Sequence, residues 1–94
     1  MPDEDGGLPL SYDAKVLRSF LRGGRLVSIP AREKKRWVIL RYLVTQCFEQ
    51  DRDYSEREVN DLLGEYHDDV ATLRRDLVRA GFMTRAGGDY RRAG

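Results

Sequence analysis

The order of local signals along the chain predicts a mainly α domain with a small β ribbon: a winged helix-turn-helix preceded by an added helix and short strand. Three observations carry that expectation. Ser55-Glu56-Arg57-Glu58 is a capping box opening a short amphipathic segment. A second amphipathic segment follows within a few residues, the pattern of two helices joined by a tight turn. Two extended runs then flank Gly87-Gly88, a two-residue hairpin signal. The 94 residues leave room for one core and not two.

Residues 1–11 include Asp3-Glu4-Asp5-Gly6-Gly7 and are read as a flexible acidic tail, with a single domain over 12–94. A first helix is expected from Asp13 as N-cap. It places Val16, Leu17, Phe20 and Leu21 on one face, and Gly23-Gly24 stops it. Residues 25–29 read as a short strand, and Pro30 pre-sets the first turn of the next helix.

That second helix, residues 31–48, gathers Trp37, Ile39, Leu40, Leu43, Val44, Cys47 and Phe48 on one half of its wheel. Val38 and Tyr42 fall on the other half, so another element is expected to cover part of that side. Trp37, Tyr42 and Cys47 are all read as core. The third helix has Ser55 as N-cap, Glu58 reaching back, and a Tyr54–Val59 hydrophobic staple. It is expected to bury Val59, Leu62, Leu63 and Tyr66. The fourth starts at Asp68 or Asp69, both read as caps, and should bury Val70, Leu73, Leu77 and Ala80. Gly81 suits its C′ position, with Phe82 folding back on Leu77. Residues 82–86 and 89–92 complete the ribbon.

Lys+Arg total 17 and Asp+Glu 16, giving a net charge of +1, which argues against both a histone-like coat and an acidic tail protein. The balance hides patches. Residues 31–47 hold five bases against Glu33, residues 48–69 nine acids against Arg52 and Arg57, and residues 70–94 six bases against Asp76 and Asp89. With 40% hydrophobic residues in periodic order the chain is not read as disordered. The longest apolar run, residues 37–40, is far short of the ~20 needed to span a bilayer. A single cysteine allows no internal disulfide and suits a reducing compartment. With no basic-then-apolar leader, a cytoplasmic location is expected.

Thr72, Arg75 and Arg79 share the face of the fourth helix opposite Leu73 and Leu77. Such a helix can lie in a major groove with arginines reaching guanine edges or phosphates. Arg85 in the ribbon, with Arg91 and Arg92, can grip the flanking backbone. A solvated face with local pairs such as Asp76–Arg79 is the alternative. Asp68 and Asp69 oppose DNA binding by repelling phosphate but serve well as caps.

Arg32, Lys34, Lys35 and Arg36 form a second basic patch at the end of the second helix where the dipole disfavours cations. It either binds phosphate or an acidic partner, or neutralises the chain's own acidic third-helix segment. His67 has no second His or Cys to complete a metal shell. No oriented nucleophile or phosphate-binding glycine loop is visible. The expectation is a non-enzyme without metal or cofactor.

Gly24-Arg25-Leu26, Ile29-Pro30-Ala31, Lys34-Lys35-Arg36, Tyr54-Ser55-Glu56-Arg57-Glu58-Val59-Asn60, His67-Asp68-Asp69, Leu73-Arg74-Arg75-Asp76-Leu77 and Tyr90-Arg91 occur in that order. Together, over about residues 16–92, they resemble a bacterial domain-of-unknown-function family. It is found as stand-alone small proteins and C-terminal to ArsR-type transcriptional regulators. The resemblance implies a cytoplasmic bacterial protein linked to transcription regulation, with no established catalytic role. In the fused regulators the ArsR part already reads DNA. Two functions therefore stand: a transcription regulator binding duplex DNA, and a protein-interaction module or homodimer.

Overall fold

The computed structural model describes residues 11–93. Their order is α1 (Tyr12–Phe20), β1 (Leu21–Arg22), β2 (Arg25–Leu26), α2 (Glu33–Cys47), β3 (Asp53–Ser55), α3 (Glu56–Gly64), α4 (Val70–Arg79), β4 (Met83–Ala86) and β5 (Asp89–Arg92). The chain is mixed α/β, with two small antiparallel sheets where one ribbon was expected.

The first difference lies at α1. Its cap is Ser11, whose hydroxyl accepts the Ala14 N–H at 3.1 Å, and the expected acidic tail over 1–10 lies outside the described residues. Asp13 sits inside the first turn, where an anion suits the dipole, and pairs with Arg41 of α2. Gly23 and Gly24 do not end the helix. Both have positive φ, 59° and 79°, the pairing a two-residue type I′ turn demands, and they close the β1–β2 hairpin. With a two-residue partner, β2 shortens to Arg25–Leu26 instead of running to residue 29.

Leu26 is buried and its N–H donates to the Tyr66 carbonyl at 2.8 Å. The hairpin is thereby tied to the turn between α3 and α4. Arg25 reinforces the tie: its guanidinium donates to the Gly64 and Glu65 carbonyls at 3.0 and 3.1 Å, satisfying the C-terminal end of α3.

Helix α2 begins at Glu33, so Pro30 and Ala31 precede it. It buries Val38, Ile39, Leu40, Leu43 and Val44, and Phe48 at its C-cap is also buried. Val38 is the side expected to need cover, and α1 supplies it, with Val16 buried at the same junction. Three expected core residues fall short. Cys47 and Tyr42 are half-buried, and Trp37 is 42% exposed. Trp37 lies at the margin of the apolar half and within the first turns of the helix, where Phe82 packs on it at 5.0 Å between ring centroids.

Helix α3 starts as its sequence dictates. The Ser55 hydroxyl accepts the Glu58 N–H at 3.1 Å and the Glu58 carboxylate accepts the Ser55 N–H at 3.0 Å. Tyr54 and Val59 flank the cap, both buried. Tyr54 meets Phe48 edge to face at 5.1 Å, and its hydroxyl accepts the Glu49 N–H at 2.8 Å. Helix α4 is capped by Asp69 alone. Leu73 and Leu77 are fully buried, each contributing about 1.5–3 kcal/mol, whereas Ala80 is exposed because the helix ends there. Phe82 N–H donates to Leu77 and Gly81 N–H to Val78, with Gly81 at φ 83°, a Schellman stop.

The ribbon carries a third strand. β3 pairs with β5, giving the order β3-β5-β4, with Tyr54 opposite Tyr90 and Tyr90 opposite Arg85. Tyr54, Met83 and Tyr90 line the inner face of this sheet and close the core under α3 and α4. Among the described residues no helix is long and apolar enough to cross a membrane.

Candidate nucleic-acid interface

Helix periodicity sorts the charged residues of α4 into three directions. With Leu73 and Leu77 inward, Arg74 turns toward α3, Asp76 toward α2, and Arg75 and Arg79 outward. The buried flank of Arg74 is fixed: its guanidinium donates to Asn60 Oδ1 and lies 3.7 Å from Glu56, which also accepts the Tyr90 hydroxyl at 3.1 Å. This link between α3, α4 and β5 was not anticipated, because none of its partners is local in sequence. On the other flank Asp76 lies 3.8 Å from Arg36 and 3.7 Å from Arg79.

The six residues expected to face nucleic acid divide. Arg75 and Arg79 are exposed on the outward face. Thr72 is not available in the same way. Its hydroxyl donates to Asp69 Oδ2 at 2.7 Å and its N–H to Oδ1 at 3.2 Å, so it belongs to the helix cap. Strand alternation separates the ribbon arginines. Arg92 points inward and donates to the Phe48 carbonyl at 3.1 Å, capping the end of α2. Arg91 points outward but pairs with Asp53 at 2.9 Å and approaches Asp51 at 3.9 Å. The Asp53 hydrogen bond raises the Arg91 pKa further, so its charge is permanent but already neutralised. Arg85, on the inner face near the tip where the sheet projects past the core, stays exposed over the Tyr90 ring at 5.6 Å. Arg75 and Arg85 remain, together with Arg79, which is 78% exposed but forms with Asp76 the local pair that the solvated-face alternative expects.

The acidic residues ahead of α4 are likewise engaged. Asp68 does not cap, contrary to the expectation; its carboxylate, 98% exposed, takes the Arg25 guanidinium at 3.0 Å. Asp69 is held below the ordinary carboxylate range by its hydrogen bonds from Thr72. His67 Nδ1 accepts the Asp69 N–H at 3.0 Å, a turn contact.

The second basic patch is mostly structural. Arg36 donates to the Ala31 carbonyl at 3.3 Å besides facing Asp76. Lys34 sits 4.5 Å over the Tyr12 ring, Lys35 is half-buried, and Arg32 occupies the N-cap position without a side-chain bond. Among the described residues, the ion pairs of Glu49, Asp51, Asp53, Glu56, Glu58 and Asp68 are with Arg25, Arg52, Arg74 and Arg91. The Cys47 thiol is pushed up to about 11 by burial and by Glu65, which favours its protonated form at neutral pH.

No curated protein and no solved structure matches this chain. Residues 25–92, from the strand carrying Arg25 to the last residue of the ribbon, match the model of a family described as an uncharacterized protein conserved in bacteria (DUF2087), and the chain belongs to that family.

Proposed function

We propose that α3, α4 and the three-stranded sheet work as a winged helix-turn-helix that binds duplex DNA and regulates transcription in the bacterial cytoplasm, without catalysis or cofactor. The observation that carries this reading is the exposure of Arg75 and Arg79 on the outward face of α4 with Arg85 at the ribbon tip. On this reading α4 enters the major groove and Arg85 contacts the flanking backbone. Engagement of Asp68 by Arg25 and of Asp69 in the cap lessens the repulsion of phosphate. The sequence likeness to domains fused to ArsR-type regulators supports the same role.

Three arginines per chain imply modest affinity for a monomer, and dimerisation would multiply it across two half-sites. Fluorescence anisotropy on mixed duplex DNA at low and moderate salt tests the proposal. Binding with a steep salt slope is expected, lost on replacing both Arg75 and Arg79 by Ala and flattened by about 0.9 with Arg85→Ala. Absence of wild-type binding at low salt overturns it. The alternative, a protein-interaction or homodimerisation module, is favoured by the exposure of Trp37 and Tyr12, 42% and 41%, and by the enrichment of such aromatics at interfaces. A solution mass above that of one chain, together with no DNA binding at low salt, would support it.

A further inference from the structure

Between the first turns of α2 and the last turn of α4 runs a groove of about 280 Å³, just below the roughly 300–1,000 Å³ usual for ligand clefts. Four ionised side chains line it: Glu33 and Arg36 from α2, Asp76 and Arg79 from α4. Its apolar wall is Leu40 and the exposed flank of Trp37.

Asp76 is the inner charge of the groove: its side chain is only 13% exposed and lies 3.8 Å from Arg36 and 3.7 Å from Arg79, longer than a direct hydrogen bond. A carboxylate drawn this far from water ordinarily collects hydrogen bonds. Arg79 is 78% exposed and Arg36 uses one N–H on Ala31, so both guanidinium groups keep donors for a further acceptor. The four charges cancel. A simple anion or cation therefore meets as much repulsion as attraction, whereas a small molecule carrying one charge of each sign meets complementary groups at both ends.

We propose that this groove binds a free α-amino acid with an apolar side chain. The ligand carboxylate takes the guanidinium groups of Arg79 and Arg36, its ammonium donates to Asp76 with Glu33 beside it, and its side chain lies against Leu40 and Trp37. The site shares Arg79 with the proposed DNA face, but its titration uses no nucleic acid, so failure of one reading is distinguishable from failure of the other.

Trp37 is the single tryptophan of the chain and reports occupancy directly. Its emission is followed while L-leucine, L-phenylalanine, N-acetyl-leucine and leucine amide are titrated into the intact protein. A saturable change with leucine or phenylalanine is expected, with Kd in the range of about 0.1–10 mM for so few contacts. Removing either ligand charge, or substituting Arg79→Ala, should weaken binding by about tenfold or more. Asp76→Asn, which keeps shape, should do the same for the ammonium-bearing ligands, with circular dichroism confirming that both variants fold. No saturable change up to about 50 mM overturns the proposal. So does equal binding of the acetylated or amidated ligands, or unaltered binding by the folded Arg79→Ala variant.

Discussion

The molecule has two hairpins turned by Gly-Gly pairs, and they are put to opposite uses. The β1–β2 hairpin around Gly23-Gly24 has two residues per strand and folds onto the body through Leu26 and Arg25. The β4–β5 hairpin around Gly87-Gly88 has four per strand, gains β3 on one edge, and carries exposed Arg85 beyond the core. The same Gly-Gly pair is left-handed at both positions in the first turn and only at Gly87 in the second, and it fixes neither strand length nor destination. Leu26 and Tyr90 each stand two positions beyond their turn; what differs is what they meet, the turn between α3 and α4 for Leu26 and Tyr54 of β3 for Tyr90.

Removing those anchors should produce the largest effects. Tyr90→Ala is expected to destabilise by about 3–5 kcal/mol, since Tyr90 is 3% exposed and its hydroxyl donates to Glu56. Leu26→Ala should cost about 2–4 kcal/mol, because a smaller side chain, 5% exposed, is removed. Thermal melts rank them, and a larger loss at Leu26 would reverse the relation between the hairpins.

The third strand is tested next. Ser55 ends β3 and caps α3, so Ser55→Ala should lower stability by about 0.5–2 kcal/mol. An unchanged melting temperature would mean that the capping box is not what holds the junction.

The hairpin arginines sharpen the contrast. Arg25 donates to two carbonyls and to Asp68 from a partly exposed position, and Arg25→Ala should cost about 1–2 kcal/mol. Arg85→Ala removes a cation–ring contact at the surface and should cost about 0.5 kcal/mol. Denaturant melts of the pair should separate the anchoring arginine from the projecting one.

The smallest effect is in acid. Asp69 titrates below the ordinary carboxylate range because Thr72 donates to its charged form, and Glu58 does so because of the Ser55 backbone N–H. Each binds fewer protons folded than unfolded between its two pKa values. Their stabilisation is full above the unfolded carboxylate pKa and is lost as pH falls through the lowered folded value. Asp69→Asn keeps a competent cap without the titration. Its melting temperature should fall less steeply than wild type on acidification toward pH ~3.

Features governed by near neighbours were legible in the chain. The capping box, the Schellman stop at Gly81 and the burial of Leu73 and Leu77 follow from residues within one or two turns of each other. The fates of Arg91 and Arg92 were half legible. Strand alternation alone sends adjacent residues to opposite faces, but that Arg92 meets Phe48 and Arg91 meets Asp53 depends on how α2 and β3 lie beside β5. Arg25 with Asp68 and Arg36 with Asp76 are tertiary pairs that no local period encodes. Trp37 was misplaced because a wheel shows direction and not where along the helix the packing stops.

The clamp of Arg25 on the end of α3 also orders events during synthesis. Arg25 and Glu65 are 40 positions apart, so the first hairpin leaves the ribosome well before the carbonyls that receive it. At about 5–20 residues per second that interval lasts a few seconds, long compared with the ~1–10 μs in which a hairpin forms. Leu26 stays without its burial site throughout. The β1–β2 hairpin should therefore be open to a chaperone or protease on the nascent polypeptide, and its protection should arrive in one step once Tyr66 and Asp68 have emerged.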